Sequence, residues 1–202
     1  VRSTRPIPRL TYLQAFTAAN VGLKLIYPAM VSLAEESGIS IIFRATDADS
    51  SDFTTVSKTV ASPLPMIIER NNVDLFIADF DSFEDYSKIF SIITKYETKK
   101  NRLAFCDFYP DHAAIAISQD GSRKMKAELA DLCRLVPDRS IITVLNVLPS
   151  KSPDVFGVLA HEDIDFLKYS ESTLTTVVES FSARQVINRL HDCLFGIAID
   201  DK

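Results

Sequence analysis

The stretch Ile67–Ser82, "IIERNNVDLFIADFDS", decides how the chain is read. Its first residues, with the "LPM" before them, suggest a turn or two of helix. Arg70-Asn71-Asn72 forms a polar elbow, and Val73 to Ile77 reads as a strand. The run ends in small and acidic residues, Ala78-Asp79-Phe80-Asp81-Ser82. A helix, a polar break and a strand that stops in a polar loop form a β/α unit. Its loop falls at the carboxyl end of a strand, where open α/β sheets bind ligands.

Upstream, "RLTYLQAF" (9–16) reads as a first strand and the segment after it as a helix. Val21, Leu25, Ile26, Ala29, Met30 and Leu33 recur at helical spacing, with Thr17 as N-cap and Gly38 as stop. Pro28 predicts a kink, or a restart with Pro in a first turn. "ISIIFRA" (39–45) is a strand ending in the polar loop "TDADSSD", and a weak helix spans 53–60. This β-α-β-α-β order implies a parallel sheet with helices on its faces.

Downstream, residues 81–101 read as helix, with Tyr86, Ile89, Phe90, Ile93 and Tyr96 on one side. Two short strands (103–108 and 113–118) are broken at "YPDH". A charged helix follows, then a strand "SIITVLNVLP", a helix from "SPDVFGVL" through "DFLKYS", a strand "TLTTVVES", a helix "FSARQVINRLHDC" and a final strand "LFGIAID". No internal sequence repeat is visible. Two β/α halves joined near 82–110 predict two subdomains with a central cleft, and pockets favour such interfaces.

The 202 residues are 47% hydrophobic with five Gly, enough to bury a core as one large domain or two small ones. No run nears about 18 apolar residues, so no membrane partner is expected. The leader "VRSTRPIPRL" lacks a signal-peptide core, and a cytoplasmic location is expected. Cys106, Cys133 and Cys193 form no CxxC or metal spacing and read as free buried thiols. A net charge of −5 does not by itself suit nucleic-acid binding, which needs clustered basic surface.

His112, His161 and His191 make no HxH or HExxH pattern, so no metal is expected. Asp107, Asp111 and His112 could form an acid/base trio, but Pro and Asp there also suit a plain turn. Phosphate-loop and nucleophile-elbow motifs are absent, so catalytic residues and cofactors are expected to be none, and the chain is expected not to be an enzyme. Helix starts are more informative. Thr17 to Asn20, and Ser180, Phe181 and Ser182, would present backbone N–H groups and hydroxyls suited to an anion, with Thr46 at the end of a strand. Ordinary N-capping needs the same residues.

In order along 9–199, "YLQAFTAAN", "LIYPAMVSLAEESG", "ISIIFRATDADS", the opening stretch, "LAFCDFYPDHAAIAIS" and "TTVVESFSARQVINRLHDCLFGIAI" resemble the effector-binding domain of LysR-type transcriptional regulators. The resemblance implies an α/β fold of two Rossmann-like subdomains with a central cleft, type II periplasmic-binding-protein-like. It implies a linker remnant at 1–8, regulatory subdomain I at 9–82, a helix and hinge crossover at 83–110, and subdomain II at 111–202. The family's winged helix-turn-helix and its C-terminal return to subdomain I are missing from this pattern. By resemblance, Phe16, Thr17, Asn20 and Thr46 line the effector site from one side, and Ser118, Ser180, Phe181 and Ser182 from the other. The implied partners are a small organic acid, amino acid or aromatic effector, a second copy in a homodimer or higher oligomer, and DNA only through the missing helix-turn-helix. The alternatives are an extracytoplasmic solute-binding protein of the same fold and a cytosolic α/β enzyme.

Overall fold

Met66 to Asp79 is one strand of 14 residues, with no helix in it, in the computed structural model of the protein. The structure describes residues 7–44, 46, 53–59, 64–96, 103–170 and 172–196. The elements are β1 (Arg9–Thr11), α1 (Tyr12–Val21), α2 (Pro28–Glu36), β2 (Ile41–Arg44), β3 (Phe53–Ser57), β4 (Met66–Asp79), α3 (Phe83–Tyr96) and β5 (Phe105–Phe108). They continue with β6 (His112–Ser118), α4 (Arg123–Ala130), β7 (Arg134–Leu145), α5 (Ser152–Leu159), β8 (Ile164–Ser170), β9 (Thr173–Glu179) and α6 (Ala183–Phe195). The result is a mixed α/β fold.

The main sheet has the order β5-β6-β4-β7-β9-β8, and every pairing in it is antiparallel. This corrects the expectation of parallel, Rossmann-like halves around a central cleft. The β/α alternation is real, but each crossover helix joins strands with a hairpin strand inserted between them. From Val73 the chain runs β4-α3-β5-β6-α4-β7, a split βαβ unit. From Arg139 it repeats as β7-α5-β8-β9-α6, and the start of β4 supplies the missing fourth strand by pairing Met66–Arg70 with Ile141–Leu145. Exchanging β4 with β7, β6 with β9 and β5 with β8 leaves the strand order unchanged, so a pseudo-two-fold axis runs between β4 and β7.

The polar elbow is the hinge of that symmetry. Pairing passes from Arg70↔Ile141 to Val73↔Arg139 and then to Leu75↔Val136, which leaves one extra residue on β4 and then one on β7. Asn72 (φ 57°) and Asp138 (φ 55°) take the left-handed conformation there, which Asn and Asp tolerate best among non-glycine residues. Each turned carbonyl accepts from the end of the neighbouring strand. Gln119 N–H donates to Asn72 O (2.8 Å), and Ser180 N–H donates to Asp138 O (3.0 Å).

The helices cover the outer faces. Ile89 and Ile93 of α3 and Met125 and Leu129 of α4 bury Phe76, Ala78, Ile115 and Ile117. Val155 and Leu159 of α5 and Val186 and Leu190 of α6 bury Ile142, Val144, Leu174 and Val178. The inner faces pack on each other through Val73, Leu75, Ala114, Ala116, Val136, Ile141 and Val177. The sheet curls so far that its two edge strands meet inside. Phe105 of β5 lies 4.7 Å from Phe166 of β8, and Lys168 Nζ sits 2.6 Å from Asp107 Oδ2.

A smaller sheet, β1-β3-β2, pairs β1 parallel and β2 antiparallel to β3. Its cluster of Leu10, Tyr12, Ala15, Ala18, Val31 and Val56 closes against Met66, Ile68 and Leu145. Pro28 opens α2 at its first turn as expected, and Gly38 (φ 67°) follows that helix. Four local expectations fail. The expected strand at 9–16 is mostly helix, because Thr11 and Gln14 form a capping box that starts α1 at Tyr12. The expected helix at 53–60 is strand β3. The long helix from "SPDVFGVL" stops at Leu159, and Ile164–Ser170 is strand β8. Leu194 and Phe195 end α6 rather than starting a strand, and residues 197–200 of that expected strand lie outside the described residues.

Candidate functional site

The loop after β4, singled out from the sequence, opens a cavity of about 580 Å³. Its walls are Phe80, Asp81, Ser82 and Phe83 of the loop, Tyr86 of α3, and Phe108, Tyr109 and Pro110 from the β5–β6 turn. Phe80 N–H donates to Asp111 O (2.7 Å), which ties the loop to that turn. Ser82 caps α3, its Oγ accepting from Asp85 N–H (3.3 Å) and donating to Asp85 Oδ2 (2.7 Å).

Aromatic rings form the apolar part of the wall. Tyr86 lies 5.0 Å from Phe108 and 5.5 Å from Phe80, and Phe80 stacks on Phe108 at 6.2 Å. Phe83 is 82% exposed and stacks on Tyr86 at 5.8 Å. Asp81 is exposed and has no hydrogen-bond or ion-pair partner among the described residues. The first turn of α3 already carries Glu84 and Asp85, which satisfy the positive end of its dipole. An acidic, ring-lined cavity therefore suits a cation with an aliphatic body, since ammonium groups are attracted both by carboxylate and by ring faces. The sequence singles out Asp79 to Ser82 as a candidate ligand loop, and Phe80, Asp81 and Ser82 line this cavity. The rings were not legible, because they come from three elements; the "FDSFEDY" spacing was the available signal.

The acid/base trio is built otherwise. Asp107 is held by Lys168 and accepts from Tyr109 OH (3.0 Å). Burial, then the Asp107 contact, raises the Tyr109 phenol above its ordinary range. Asp111 contacts His112 Nδ1 at 2.7 Å, and that hydrogen bond lowers its carboxyl.

The residues chosen from helix starts fall elsewhere. Thr17 and Asn20 lie inside α1, so they are not at a helix start, and Phe16 beside them is half-exposed. Thr46 is exposed after β2. Ser118 ends β6 and accepts from Arg70 Nη2 (2.9 Å). Ser180 is 3.4 Å from Ser140 Oγ, Phe181 is exposed, and Ser182 precedes α6 with its hydroxyl donating to Glu179 O. Asn20 and Ser118 meet on one cavity, distinct from the loop cavity; the others do not line it.

The three thiols are partly buried. Burial pushes Cys133 up to about 11, against 9.0 for an unperturbed thiol, and raises Cys193 as well. At pH 8 only about a thousandth of Cys133 is thiolate, so it should react with 5,5′-dithiobis(2-nitrobenzoate) over tenfold more slowly than free cysteine. Labelling at the free-cysteine rate would contradict that burial. Because the folded value is raised, this contribution to stability is complete below pH 9 and is lost as pH rises from 9 towards 11.

No family model matches the chain, and no curated protein matches it in sequence. Solved structures do share its fold. Aspartokinase III of E. coli in complex with aspartate and ADP superposes with a TM-score of 0.79 at 22% identity, covering 96% of this chain and 48% of that one. The same enzyme with lysine and aspartate gives 0.74 over the same shares. Aspartate kinase of Clostridium acetobutylicum gives 0.74 at 16% identity, over 96% and 50%. A putative C-terminal regulatory domain of aspartate kinase from Porphyromonas gingivalis gives 0.53 at 11% identity, over 65% and 98%. The chain thus spans about half the length of the two enzymes. These likenesses overturn the LysR-type resemblance, and with it transcription regulation and DNA as a partner. Among the described residues, no helix is long and apolar enough to cross a membrane.

Proposed function

We propose that the chain is an amino-acid-sensing regulatory portion of an aspartate-kinase-type enzyme, and that it senses rather than catalyses. The observation that carries this reading is the shared course of 96% of the chain with aspartokinase III of E. coli, a protein described in complex with lysine and aspartate. The aspartate kinase regulatory domain of P. gingivalis covers only 65% of the chain, close to the share from Met66 to the end of α6. In this reading the paired split βαβ units are the sensor, and the unit built on β1–β3 belongs to the body being regulated. Leu13, Leu25, Tyr27, Leu33 and Ile39 of that unit are more than 60% exposed, as side chains awaiting a covering domain would be.

The effector site is the cavity after β4. Its carboxylate and rings favour an amino acid with a cationic end, lysine first, with the ammonium at Asp81 and the methylene stem on Tyr86 and Phe108. The test is thermal unfolding of the 202-residue chain with each proteinogenic L-amino acid and its D-enantiomer. A cationic L-amino acid should raise Tm with the logarithm of its concentration above Kd, by an amount corresponding to about 2.7 kcal/mol at a hundred times its Kd. Asp81→Asn should weaken that ligand about tenfold or more, the loss expected for a charge-assisted contact. No response to any amino acid would sink the sensing function; an undiminished response in Asp81→Asn would sink only the site.

A further inference from the structure

A second cavity, of about 1080 Å³, lies between the end of α1 and the elbow of β4, and its chemistry is the reverse of the first. Arg70 is half-buried in its wall, with Lys24 and Asn20 opposite and Asn71 and Asn72 beside it. Two guanidinium N–H groups are used, one donating to Ser118 Oγ (2.9 Å) and one to Ala104 O (3.5 Å). Neither acceptor is charged, the other N–H groups have no acceptor, and no carboxylate lies within ion-pair distance of Arg70 among the described residues. A half-buried guanidinium without an ion pair keeps N–H donors that an anion entering the cavity would satisfy.

Among the described residues, the acidic groups on the same wall make no ion pair with Arg70. Glu69 is turned to Ser140, whose hydroxyl donates to its Oε1 (3.4 Å). Asp120 is near enough to favour the charged arginine, but burial acts more strongly in the opposite sense. The guanidinium is also held in place. Gly22 (φ 131°) lies directly over the arginine stem, where an added Cβ would stand 3.2 Å from Arg70 Cβ.

We propose that this cavity binds a small oxyanion, a carboxylate or a phosphate group, with the fork of Arg70 as its principal ligand and Lys24 as a second positive charge. Both anions match the planar, two-pronged donor geometry of arginine. The site does not depend on the amino-acid cavity, so either can fail alone.

The test is thermal unfolding of the chain with sodium phosphate or sodium acetate titrated against sodium chloride at constant ionic strength. One or both oxyanions should raise Tm with the logarithm of concentration above Kd. Phosphate alone would identify a phosphoryl ligand, and acetate alone a carboxylate ligand. Arg70→Gln should move the onset of that rise to at least tenfold higher concentration. If that variant does not fold, Lys24→Glu serves in its place, with an expected weakening of several-fold. A rise linear in concentration, or one with the same onset in wild type and variant, would reflect solvent exclusion from the protein surface and overturn the site.

Discussion

Deleting Asn72 is expected to cost about 1–3 kcal/mol while keeping the register of β4. The residue is the extra one on β4, so its removal lets Arg70 and Val73 pair as a regular ladder with Ile141 and Arg139. Val73 and Leu75 keep their places in the inner packing, and Phe76 and Ala78 theirs under α3 and α4. What is lost is the bend in the strand and the turned carbonyl that accepts from Gln119 N–H. Asn72→Gly is the control, because glycine accepts the same φ and keeps the bulge. A deletion variant without a cooperative thermal transition would show that the bulge itself sets the register.

Phe76→Ala is expected to cost about 3–5 kcal/mol while leaving the fold assembled. Phe76 is 1% exposed, at the centre of the cluster formed by Ile89, Ile93, Ile115 and Met125. Rigid helices on one side and a hydrogen-bonded sheet on the other leave little room for the site to collapse. Urea unfolding should show a lower midpoint with an unchanged slope. A loss under about 1 kcal/mol would mean that α3 can move inward to fill the void, which would also deform the loop after β4 at its start.

Much of the unit from Val73 onward was legible from its residues. The β5–β6 hairpin announced itself through "YPDH" between two apolar runs, and Ile89 and Ile93 marked the buried side of α3. The first half of β4 was misread because Met66, Ile67 and Ile68 are equally apolar on both faces. Ile67 packs towards α5 and α6 while Met66 and Ile68 pack towards α1, so no alternation survives to mark a strand. β8 was hidden because its lysine and tyrosine lie along an edge, and Lys168 faces in only to meet Asp107. The duplication left no repeat in the sequence. What recurs is the order of elements and the two positive-φ residues, Asn72 and Asp138, not the side chains between them. The LysR-type resemblance rested on apolar β/α alternation, which this antiparallel arrangement produces equally well.

The loops after β4 and after β7 occupy equivalent places in the two units, yet they have diverged in employment. The first stands open. The second is clasped: Asn146 (φ 60°) accepts from Gln14 Nε2 (3.3 Å) and donates to Leu64 O (2.9 Å), joining it to the capping box of α1. The pseudo-symmetric pair thus comprises one open loop and one tied to α1. The shaft between them is β4 itself, roughly 45 Å of continuous strand at about 3.3 Å per residue. Bent at Asn72, it runs from Asp79, beside the open loop, to Met66, which packs against the unit that the second loop grips.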